Sequence, residues 1–105
     1  MDKIIERLKK FRKDRNWEQF HTPENLSKSI IIEASELLEN FQWGSKEIDL
    51  KNVKEELADI MAYVLLLCDH YDLDIKQIMN DKIDINEKKY PIEKAFGKST
   101  KYDKY

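Results

Sequence analysis

Two acidic pairs, Glu33-x-x-Glu36 and Glu56-x-x-Asp59, stand inside stretches whose other residues keep the spacing of core-facing helices. Residues three apart are neighbours on a helix surface, so each pair can aim its oxygens at one point. Carboxylates gathered in a partly dry space repel one another and hold their protons more tightly unless a cation compensates. Every candidate ligand is a hard oxygen, and the chain has only 2 histidines and 1 cysteine, with no Cys/His cluster. That donor set suits magnesium, with manganese as a substitute, rather than zinc. Such a site keeps waters on the ion and grips substrate phosphates. Either pair alone also fits an ordinary solvated helix face; both together, each in or beside an apolar stripe, point to a metal site. Glu39 and Glu55 read as plain solvent-facing charges.

The elements that must position these pairs follow from periodicity and capping. Ile4, Ile5, Leu8 and Phe11 recur at helical spacing and predict a first amphipathic helix from Asp2 to about Asp14. Thr22 before Pro23 is an N-cap and first-turn signal for a second helix that should run to about Trp43 and stop at Gly44. Leu26, Ile30, Leu37 and Phe41 form its stripe, and Glu33 interrupts it. A polar connection, Ser45 to Lys46, leads to a third helix from near Asp49 to about Tyr71. There Val53, Leu57, Ile60, Val64, Leu67 and Tyr71 trace a core stripe, with Glu56, Asp59 and Tyr63 along its edge. So short a connection predicts an antiparallel hairpin in which the two acidic pairs meet. Asp74-x-x-Gln77 resembles a capping box opening a fourth helix that ends before Pro91, and 92–105 reads as an irregular polar tail.

A length of 105 residues suffices for a single domain spanning 1–105. With 38% charged and 41% apolar residues but only 2 Gly and 2 Pro, the expected class is all-α. A net charge of −2 supplies no broad cationic field, which argues against a nucleic acid polymer as partner. The apolar run Ile60 to Cys68 is far short of the ~20 residues of a membrane span, and no signal segment opens the chain. A cytoplasmic protein with no membrane association is the expectation, with Cys68 a buried, inert thiol.

Beyond the acidic pairs, longer strings carry a resemblance. Phe11-Arg12, Arg15-x-Trp17-x-Gln19-Phe20-His21-x-Pro23-x-Asn25-Leu26, Glu33-x-x-Glu36-Leu37, Phe41-Gln42-Trp43, Glu55-Glu56-Leu57-x-Asp59 with Tyr63, and Lys82-x-Asp84-Ile85-Asn86-x-x-x-Tyr90-Pro91 resemble the MazG-like all-α nucleoside triphosphate pyrophosphohydrolases, in particular the dCTP pyrophosphatase-like branch. The resemblance implies a four-helix bundle unit that assembles as a homodimer or homotetramer. It implies magnesium-dependent hydrolysis of nucleoside triphosphates, dCTP-like or modified, at the α–β phosphoanhydride, giving a monophosphate and pyrophosphate in house-cleaning of the nucleotide pool. Glu33, Glu36, Glu56 and Asp59 would then be metal ligands, with Glu36 or Glu33 as the catalytic base. Substrate would be bound by Trp17, His21, Trp43 and Tyr63, with Phe20 nearby, and by Lys82, Asp84, Asn86 and Tyr90. Trp17, Phe20 and Trp43 equally suit packing roles, and His21 equally suits the start of the second helix. Lys88-Lys89 stand where relatives carry arginine, so point charges replace a bidentate grip.

Two rivals remain open to the sequence. A di-iron carboxylate bundle needs Glu-x-x-His on its helices; the only such spacing, Glu18 to His21, falls in the loop before the second helix. A non-catalytic helical interaction module would leave the acidic pairs dispensable.

Overall fold

Thr22 opens the element on which the site depends: its hydroxyl accepts the Asn25 backbone N–H at 3.1 Å, and Pro23 fills the first helical position. The computed structural model describes residues 1–44 and 47–104, so the predicted connection Ser45–Lys46 lies outside the described residues. Its helices are α1 (Asp2–Asp14), α2 (Pro23–Glu39), α3 (Leu50–His70), α4 (Ile75–Lys89) and α5 (Ile92–Ala95). Short 3-10 turns cover Glu18–Phe20 and Tyr102–Lys104, and no strand occurs among the described residues. The all-α expectation holds.

The chain divides into two compact units, Met1–Asp72 and Leu73–Tyr105. In the first, α2 packs along α3, and α1 packs on α3 as well. The core is small. Leu26 of α2, 1% exposed, lies with Leu65, Leu66 and Cys68 of α3 in the buried set. The predicted α3 stripe is corrected at two positions, Leu57 and Tyr71, which are exposed; Val53 stays half-buried, and the buried apolar residues of α3 fall between Ile60 and Cys68. Periodicity marks one face of a helix, but what packs against each position decides whether it is buried. Lys9 and Arg12 of α1 each reach Asp69 of α3 at 3.7 Å. Ion pairs that long add little by themselves.

The end of α2 also departs from expectation. The helix stops at Glu39, short of Trp43. Asn40 ends it: its Nδ2 donates to the Leu37 carbonyl at 3.1 Å and to the Glu36 carbonyl at 3.5 Å, and the backbone then tightens into i→i+3 turns from Phe41 to Gly44. A side-chain amide that satisfies the last carbonyls competes with continuation of the helix. Gly44 takes φ 62°, a region in which other residues are strained.

In the second unit, Asp74 caps α4 by accepting the Lys76 N–H at 2.9 Å. The reciprocal half of the expected capping box is absent, because Gln77 donates to Asp81 at 2.8 Å one turn further on. The expectation of an irregular tail is corrected as well: Pro91 begins the short α5, and Tyr102 packs edge-on to Tyr90 at 6.0 Å with Lys89 over its ring at 4.9 Å.

Since Leu26 is the most buried side chain of the α2–α3 core, Leu26→Ala should destabilise the protein by about 2–5 kcal/mol, seen as a lower urea midpoint. An unchanged midpoint would show that this contact does not hold the pair together.

Candidate active site

Pairings across the seam run in opposite directions on the two helices: Ser29 faces Tyr63, Glu33 faces Asp59 and Glu56, and Asn40 shares a cavity with Asn52. As residue number rises along α2 it falls along α3, which makes the hairpin antiparallel, as expected. One carboxylate oxygen each from Glu33, Glu56 and Asp59 lies within 4.8 Å of the others. Glu36 stands outside that trio but within hydrogen-bonding reach of both Glu33 and Glu56. All four predicted acids therefore converge.

Glu56 is 8% exposed, and the Oε2 atoms of Glu33 and Glu56 are buried without a hydrogen-bond partner. Leaving such atoms unsatisfied is costly, and a cation with oxygen preference would satisfy them. Burial, then hydrogen bonds with Glu56 and Glu36, then the charges of Glu36 and Asp59, push Glu33 up from its ordinary 4.5 to about 7. Burial also pushes Glu56 up, with the hydrogen bond from Glu33 acting against it. A proton shared among these groups relieves the repulsion when no cation is there. The orphaned oxygens, the hard donor set and the close approach of three ligand atoms fit a hard divalent ion.

Beside the acids lies a string of rings. Phe11 meets Trp17 edge-on at 5.6 Å, Trp17 meets His21 at 6.4 Å, and His21 meets Tyr63 at 6.3 Å. The loop that carries them is locked. Trp17 donates its backbone N–H to Arg12 at 2.9 Å, Asn25 Nδ2 donates to the Phe20 carbonyl at 2.9 Å, and the Arg15 guanidinium sits 3.7 Å over the Phe11 ring. Burial and then the Arg12 charge hold His21 below its usual range, which favours neutral imidazole, and its Nδ1 is buried without a partner. Burial and then the Glu33 and Asp59 charges push the Tyr63 phenol up. Tyr63 therefore joins the ring string to the acids.

The remaining expected site residues belong to other elements. Trp43 stands in the turn after α2, 85% exposed, while Phe20 is exposed in the loop. Lys82, Asp84 and Asn86 lie on α4 and Tyr90 at its end, in the second unit. Sequence reasoning missed the carboxamides. Asn40 and Asn52 line a cavity of about 330 Å³ with Glu36, Glu39 and Glu56. Their signal was present, since each lies four residues from an acid of the pairs, Asn40 after Glu36 and Asn52 before Glu56. Glu39 is exposed as expected, yet it walls this cavity.

Between its ordinary value and about 7, Glu33 in the folded chain keeps a proton that the unfolded chain has released, so stability falls as pH rises through that window. In chelator, the thermal midpoint should drop from pH ~5 to pH ~7.5, and Glu33→Gln should flatten that dependence. Thermal unfolding across pH measures this, and a midpoint that rises over the same interval would contradict it.

The MazG-like family model matches residues 28–104. The chain is 34% identical to dCTP pyrophosphatase 1 of Mus musculus and 35% identical to that of Homo sapiens, each match covering 88% of this chain. It spans 59% of the length of those relatives. A crystal structure of a pyrophosphatase from Archaeoglobus fulgidus superposes with a TM-score of 0.78 at 39% identity, over 87% of this chain and 92% of that one. With both acidic pairs, the Tyr63 edge and most of the helices inside the matched region, the chain belongs to the MazG-like family and is similar to its dCTP pyrophosphatase branch.

Proposed function

We propose that this protein hydrolyses nucleoside triphosphates, of the dCTP-like or modified deoxynucleotide kind, at the α–β phosphoanhydride, releasing a nucleoside monophosphate and pyrophosphate. The observation that carries this reading is the convergence of Glu33, Glu36, Glu56 and Asp59, with orphaned buried oxygens, beside Tyr63, whose ring His21 meets. The activities named for the relatives support it. An interaction module would leave buried, mutually repelling acids with no purpose.

Glu33, Glu56 and Asp59, with Glu36, would hold magnesium, or manganese in its place. Held there, such an ion would supply the positive charge that neutralises and orients a triphosphate. Glu36 or Glu33 would take the proton of the attacking water, since a carboxylate oxygen not spent on the ion can serve as general base. Tyr63, His21 and Trp17 provide ring faces on which a nucleobase can stack, and a neutral imidazole can hydrogen-bond to its polar edge. From the second unit, Lys82 would contact phosphate, and Asp84, Asn86 and Tyr90 the nucleoside; Trp43 would need a partner surface to become part of a pocket.

We assign the working form to a homodimer or homotetramer. Ile31, Ile32 and Leu38 of α2 and Leu57 and Met61 of α3 are exposed aliphatic side chains, and a second copy would cover them. No helix among the described residues is long and apolar enough to cross a membrane. A cytoplasmic role in clearing unwanted nucleotides accords with a lone, buried, free Cys68.

A panel of normal and modified NTPs and dNTPs incubated with protein and Mg²⁺, with products separated, tests the reading. Monophosphate plus pyrophosphate is the expected pair; diphosphate plus phosphate would contradict the cleavage site. Glu36→Gln and Asp59→Asn should each lower kcat by about 10²-fold or more, as removing a charge-stabilising group does. Retention of full turnover in both variants would remove the acids from the chemistry.

A further inference from the structure

The three serines of α2 use their hydroxyls differently. Ser27 and Ser35 return theirs to carbonyls one turn back, Pro23 at 2.7 Å and Ile31 at 3.0 Å. That is the common fate of a serine inside a helix, whose own backbone offers the nearest acceptor. Ser29, half-buried, gives its hydroxyl to the Tyr63 phenol across the seam. Helix register puts it there independently. Glu33 lies one turn after Ser29 on α2, Asp59 lies one turn before Tyr63 on α3, and the two carboxylates meet. In an antiparallel pair, one turn from Glu33 toward the start of α2 faces one turn from Asp59 toward the end of α3. Ser29 and Tyr63 occupy those positions.

Tyr63 has little freedom to turn away. His21 meets its ring edge-on at 6.3 Å. Long side chains on a helix lean over the turn on their N-terminal side, which for Tyr63 is the turn of Asp59, so the phenol oxygen stands between Ser29 and the acids. Burial and the charges of Glu33 and Asp59 keep its proton in place. A phenol has one donor and can accept as well. With Ser29 donating to its oxygen, the Tyr63 O–H is directed away from α2, and Glu33 and Asp59 act on it through charge rather than through a hydrogen bond.

We propose that Ser29 is a positioning residue: by donating to the Tyr63 oxygen it aims the phenol O–H at a non-bridging oxygen of the phosphoryl group joined to the substrate's sugar. With a base on the rings and phosphates at the acids, that phosphoryl group falls beside the phenol. A neutral donor holds it without adding charge to a site already crowded with carboxylates. This rests on the pyrophosphohydrolase reading and adds to it the residue that orients a substrate-binding side chain.

Calorimetric titration of the intact protein in Mg²⁺ with dCMP and, separately, with deoxycytidine, which lacks the phosphate, tests the assignment. Ser29→Ala deletes one oxygen from a helix that alanine suits, so the fold is kept. Ser29→Ala and Tyr63→Phe should each weaken dCMP binding by about 10-fold, the usual worth of a hydrogen bond to a charged group, while deoxycytidine affinity stays within about twofold. The double variant should lose no more than Tyr63→Phe alone, because Ser29 acts only through the phenol. Ser29→Thr, which keeps the hydroxyl, should recover most of the loss. Wild-type dCMP affinity in Ser29→Ala, additive losses in the double variant, or equal loss of both ligands overturns the role, as does a wild type that binds dCMP no better than deoxycytidine while cleaving triphosphates. If wild type neither cleaves triphosphates nor binds either ligand, the hydrolase reading falls with it.

Discussion

Repulsion among four carboxyl groups forced together by the packing of α2 on α3 is the constraint around which the first unit is organised. Helix packing that buries Leu26 against the apolar centre of α3 also carries Glu56 out of water and aligns Glu33 and Asp59 beside it. Apolar burial supplies the driving force, and the acids work against it. A proton on Glu33 relieves part of that strain, and a divalent ion would relieve more. The same few side chains thus link folding, protonation and ligand affinity.

Rigid surroundings keep the acids from escaping that conflict. Thr22 and Asp49 cap the starts of the two helices, and Asn40 closes the end of α2, so neither helix can easily unwind to expose its charges. The loop before α2 is fastened by Asn25 and Arg15, which holds Trp17 and His21 next to Tyr63. A narrow core of this kind leaves much aliphatic surface on α2 and α3 uncovered.

Much of the fold was legible because it is written locally. Apolar residues at 3.6-residue spacing, a threonine before a proline and an aspartate before a helical run act within one or two turns, and α1, α3 and the starts of α2 and α4 followed from them. Errors came where a local signal competed with another or with packing. Asn40 capped α2 before Trp43, Gln77 bonded to Asp81 one turn on, and Leu57 and Tyr71 are left exposed.

The sequence alone determined which chemistry is available: four hard carboxylates at i, i+3 spacing on two helical stripes, with rings close by. Only the tertiary structure decided that Glu56 would be the buried member of the acid cluster, that Glu33 would be pushed up to about 7, and that Asn52 would line a cavity while Trp43 faced solvent. The reason is physical. Spacing along a helix fixes which side chains share a face, whereas burial, unsatisfied oxygens and cavity walls depend on what the other helix brings opposite them.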